Sequence, residues 1–188
     1  MDRATRRKAP LFNPWRIAGW GFLLALLFLP AIAMRLAPNG GVNWTASDFM
    51  FAAVIFSLVG LGFELAFRAG RWTYRMAAVI AVLASFLLIW INLAVGIIGN
   101  EDDTANLMFV GVLGIALAGS LAARFGADGM SRAMALASGA QLFVGAVALI
   151  GGMGEGSAAW PNDVLFLTIF FTGAWGTAAV LFRQAARG

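Results

Sequence analysis

The chain has 188 residues, 61% of them hydrophobic and 12% charged, with a formal net charge of +4. Soluble domains hold roughly 45–50% apolar and about 25% charged residues, so these figures exclude a soluble globular enzyme, a disordered tail and a fibrous repeat. Cys and His are both absent, which removes disulfides, thiolate zinc sites, iron–sulfur clusters, the usual haem ligand and the usual base of a serine nucleophile.

A basic tail, residues 1–16, opens the chain and holds Lys8, its single lysine, so no span carries a lysine for a Schiff base. Six apolar runs follow at 17–34, 49–67, 76–98, 107–123, 133–152 and 164–182. Each approaches the ~20 residues that cross the hydrocarbon of a bilayer. The composition and spacing predict an all-α polytopic membrane bundle of six transmembrane helices forming one domain, 17–188. Short connections predict antiparallel neighbours.

Charge orients the chain. Arg3, Arg6, Arg7, Lys8 and Arg16 precede span 1; Arg68, Arg71 and Arg75 lie between spans 2 and 3; Arg124 and Arg132 between spans 4 and 5; Arg183 and Arg187 follow span 6. Only Arg35 falls on the opposite side, with Asp48, Glu101, Asp102, Asp103, Glu155 and Asp163. The excess of Lys and Arg marks the cytoplasmic side, so both termini are expected there. The pI of about 11.0 is explained by these span-end cations on an anionic leaflet rather than by nucleic acid. Pro30-Ala31-Ile32-Ala33 resembles the end of a cleavable leader; the length of span 1 favours retention.

Few polar residues enter the spans. Glu64 is the carboxylate inside span 2, and an ionisable residue there is a functional hypothesis, proton or cation coupling. Arg68 follows at i+4, the favourable order for a helical ion pair near the interface, and that reading is preferred. Asn92 in span 3 and Gln141 in span 5 would complete a polar path with Glu64, or would each bond a neighbouring helix.

Between spans 3 and 4, Glu101, Asp102, Asp103 and Asn106 supply a dense set of oxygen ligands for an outer contact or a hard cation, without the alternating spacing of a calcium loop. The preferred reading is a turn in which Asp103 caps span 4. Gly126-Ala127-Asp128-Gly129 reads as a turn between spans 4 and 5. Small residues at helical spacing, Gly111, Gly114, Ala118 and Ala122 on span 4 and Thr172, Gly176 and Ala179 on span 6, form faces that allow close helix packing, within the chain or against another subunit.

Val42-Asn43-Trp44-Thr45-Ala46-Ser47-Asp48-Phe49, Trp90-Ile91-Asn92, Val95-Gly96-Ile97-Ile98-Gly99-Asn100-Glu101-Asp102 and Ala105-Asn106-Leu107-Met108-Phe109 resemble segments of small uncharacterised multi-pass inner-membrane proteins of proteobacteria. The resemblance runs from span 2 through span 5. It implies a bacterial inner membrane and nothing catalytic.

Three functions remain open: a non-enzymatic structural or accessory membrane subunit, as a homo-oligomer or in a larger complex; a small transporter or channel for a proton, cation or small solute; and a lipid- or quinone-directed enzyme. The first is preferred, with no cofactor and no catalytic set, because no nucleophile–base pair or metal triad can be assembled from these residues.

Overall fold

The computed structural model describes residues 14–38 and 40–188. The basic tail falls almost wholly outside them. Six α-helices follow one another: α1 Pro14–Leu36, α2 Ala46–Arg68, α3 Trp72–Ala94, α4 Met108–Ala122, α5 Ala127–Ile150 and α6 Asn162–Arg187, with a 3₁₀ turn at Thr104–Leu107 leading into α4. There is no strand among the described residues. All six helices, α4 taken with its 3₁₀ turn, are long and apolar enough to cross a membrane; the 23 residues of α3 rise about 34 Å at 1.5 Å per residue. The protein is an all-α, multi-pass integral membrane protein.

Of the boundaries that depart from the expectation, three have a local cause. α3 ends at Ala94 rather than near 98, although Val95, Ile97 and Ile98 continue the apolar run. Gly96 adopts a φ of +71°, a left-handed conformation that stops the helix. α3 starts earlier than the hydropathy placed it, at Trp72, since Arg71 and Arg75 turn their guanidinium groups onto carbonyls, those of Ala185 and Ala69. α5 begins at Ala127: the turn expected over 126–129 is instead the first turn of the helix, where Asp128 meets the positive end of the dipole and pairs with Arg132 at i+4.

The chain divides into two compact units, Met1–Glu64 and Leu65–Gly188, with the division inside α2. In the first, the indole of Trp20 of α1 packs against Gly60 of α2; a Cβ at Gly60 would come within 2.5 Å of its six-membered ring. The entry to α2 is a reciprocal cap in which the Thr45 backbone N–H donates to Asp48 Oδ2 at 2.7 Å and the Asp48 backbone N–H donates to Thr45 Oγ1 at 3.4 Å.

In the second unit α6 packs on both α5 and α3, and α4 packs on α5. Its core sets small against large: Ala77, Ala81, Ala84, Ala133, Ala137 and Ala178 pack with Phe109, Phe171, Trp175 and Phe182, all buried. Bulky side chains such as Phe143, Phe166 and Ile169 point outward, as expected of helices whose solvent is lipid. The basic end is tied by hydrogen bonds to carbonyls. The Tyr74 hydroxyl donates to the Phe125 carbonyl at 2.7 Å, its ring stands edge-on to Phe182, and Ser131 donates to the Ala179 carbonyl.

At the acidic end two loops approach backbone to backbone. Gly154, with φ +86°, lies so close that a Cβ there would sit 2.6 Å from the Gly99 nitrogen. Only glycine fits such an approach.

Candidate functional site

Glu64 is held by Arg16 of α1, whose Nε donates to its Oε1 at 2.6 Å. The i+4 spacing pointed to Arg68; Arg16 is 48 residues away in the chain, on the helix that the Trp20–Gly60 contact brings alongside. The Arg16 side chain is 45% exposed and that of Glu64 15%, so the pair stands at the rim of the helix hairpin.

Asn92 and Gln141 differ in how far they are satisfied. The Asn92 Nδ2 donates to the Leu88 carbonyl one turn back at 2.7 Å, while its Oδ1 is buried without a hydrogen-bond partner among the described residues. Gln141 is 0% exposed, and neither its Nε2 nor its Oε1 has a hydrogen-bond partner among the described residues. No hydrogen bond joins the two amides. The same holds of three side-chain atoms on α6: Thr168 Oγ1, Thr172 Oγ1 and Trp175 Nε1 are buried and unpartnered. Thr168 and Trp175 carried no signal in the sequence beyond lying on one face of an apolar helix.

In the acidic loop Asn106 is the organising residue. Its Oδ1 accepts from the backbone N–H groups of Ile97 at 3.0 Å and Ile98 at 2.9 Å, and its Nδ2 donates to the carbonyls of Ile98 at 3.0 Å and Asn100 at 2.7 Å. A single buried amide thereby satisfies four backbone groups of a segment that has left the helix. Ile97 and Ile98 are buried as a result. Asp103 Oδ1 accepts from the Ala105 N–H at 2.9 Å, capping the 3₁₀ turn rather than α4 itself. Glu101 and Asp102 stay exposed. No group of three or more carboxylates arranged to hold a metal ion occurs among the described residues.

The two small-residue faces lie in different surroundings. Thr172 and Gly176 face α5, where the Ser138 hydroxyl donates to the Thr172 carbonyl at 2.9 Å and lies 3.6 Å from where a Gly176 Cβ would be. On α4 the face turned to α5 is another one, with Val112, Ala116 and Ser120 buried and Gly119 against Ala133. Gly111, Gly114 and Ala118 are exposed, and nothing lies within 4 Å of a Cβ placed at either glycine.

Comparison with known proteins found no matching family model, no matching curated protein and no matching solved structure.

Proposed function

We propose that this protein is a non-enzymatic membrane subunit that associates, with a second copy or with another membrane protein, through the open small-residue face of α4. The observation that carries this reading is the exposure of Gly111, Gly114 and Ala118 on a helix that packs through its opposite side. Between lipid-embedded helices there is no hydrophobic drive; close backbone approach over small residues supplies the van der Waals contact. The charge asymmetry supports an orientation with the basic end cytoplasmic, and the resemblance of the segments from span 2 through span 5 supports a bacterial inner membrane.

Energy transfer between donor- and acceptor-labelled copies in liposomes, diluted stepwise with lipid, tests self-association, and co-purification from native membranes tests a foreign partner. Wild type should associate by one of these routes. Gly114→Leu should abolish it while Gly119→Leu, on the packed face, should unfold the protein. A monomeric wild type with no co-purifying membrane protein would remove the proposal.

A transport reading has in its favour the unpartnered amide of Gln141 and the unpartnered Oδ1 of Asn92, both buried. Proton or cation flux in proteoliposomes that fails in both Gln141→Leu and Glu64→Gln would establish it in place of the first.

A further inference from the structure

The packing of α5 on α6 sets a register. Ser138 meets Thr172, and Gly145 receives Thr168 so closely that a Cβ there would lie 2.1 Å from the Thr168 Oγ1. Ser138 and Gly145 are two helical turns apart on one face of α5, and Gln141 lies between them on that face. Thr168, Thr172 and Trp175 follow at i, i+4 and i+7 on the face of α6 opposite. All five unpartnered side-chain atoms of these four residues, Gln141 Oε1 and Nε2, Thr168 Oγ1, Thr172 Oγ1 and Trp175 Nε1, therefore belong to one stretch of a single helix seam. Gln141 and Trp175 are fully buried and Thr168 is 3% exposed.

The threonines are informative because serines in the other spans behave differently. Ser57, Ser85 and Ser120 each return their hydroxyl to the carbonyl four residues back, at 2.7, 2.9 and 2.7 Å, which satisfies the group without a neighbour. Thr168 and Thr172 do not make that bond. Buried polar groups in a membrane core need a partner, since lipid supplies none.

We propose that this seam is an internal hydration site, in which water bridges Gln141, Thr168, Thr172 and Trp175. The donor inventory selects the ligand. The indole N–H and the amide NH₂ can only donate, the amide oxygen can only accept, and each hydroxyl does either, so the bridging molecule must both accept and donate. No Asp, Glu, Lys or Arg lies in α5 between Arg132 and its end, or in α6 between Asp163 and Arg183, so the two helices bring no charge to the middle of the seam to hold an ion. Buried water commonly makes about three hydrogen bonds to such groups.

The test is magnetisation transfer from water in isotopically labelled protein in lipid bilayers, read by magic-angle-spinning NMR at the Trp175 indole and the Gln141 side-chain amide. Both should receive transfer at short mixing times, while the backbone amides of the equally buried Leu88 and Ala137 should not. In Gln141→Leu the transfer to the Trp175 indole should fall several-fold. Thr172→Val, nearly the same shape without the hydroxyl, should lower it too and serves if the first variant does not fold. Absence of transfer in wild type, or transfer to Trp175 unchanged in the variants, would overturn the proposal in favour of direct bonds among the four side chains.

Discussion

Asn106 offers the most severe single test of how this molecule is held together. Replacing it with Ala removes the acceptor of two backbone N–H groups and the donor to two carbonyls at a position only 8% exposed. A hydrogen bond is worth about 0.5–1.5 kcal/mol net, but a buried donor left without a partner costs about 1–3 kcal/mol. With the two N–H groups dominating, and with some relief from water at the membrane end, Asn106→Ala should lose about 3–5 kcal/mol. Asn106→Asp keeps the acceptor but sets a carboxylate beside two carbonyls, and should lose about 2 kcal/mol or more. Reversible unfolding in mixed detergent micelles, followed by Trp fluorescence, gives these values. Hydrogen exchange at Ile97 and Ile98 reports the loop itself and should accelerate in step. A loss below about 1 kcal/mol for the Ala variant, with both amides still protected, would refute the account of the loop.

Three further outcomes are expected in the same unfolding assay. Gly154→Ala should cost about 2–4 kcal/mol, from the positive φ and the approach to Gly99, whereas Gly156→Ala, where a Cβ meets nothing within 4 Å, should stay within about 0.5 kcal/mol. Tyr74→Phe should cost about 1 kcal/mol, because it deletes the bond to the Phe125 carbonyl and leaves the ring against Phe182. A double-mutant cycle on Arg16→Ala and Glu64→Gln should give a coupling below about 1 kcal/mol, the value of a solvent-screened pair; a larger coupling would mean that the pair is drier than its rim position implies.

What the sequence made legible, and what it hid, follows from the kind of signal each feature leaves. Six spans and two differently charged ends are written in composition, because lipid tolerates few other arrangements. The end of α3 was hidden because hydropathy registers burial and not backbone conformation: Ile97 and Ile98 are buried as the filling of a loop. The clue was present in Gly96, Gly99 and Asn106, residues whose value lies in φ and in hydrogen bonding. The pairing of Glu64 with Arg16 was hidden because local spacing offers Arg68, while Arg16 becomes a neighbour only when α1 folds back on α2. Gln141 stood out as an amide in an apolar run, but Thr168 and Trp175 gained meaning only when the α5–α6 register placed them opposite it.

The contact between Gly99 and Gly154 also bears on the order in which the molecule can be completed during synthesis. The loop after α3 is shaped within itself by Asn106, yet the surface it rests against belongs to a segment made some fifty residues later. Until α5 and α6 have entered the bilayer and turned, one side of the earlier loop has no neighbour. α3 and α4 must therefore wait, inserted but unfinished, and the last hairpin closes them from the far side. An insertion that carried Gly99 or Gly154 out of this contact would leave the earlier loop without that neighbour.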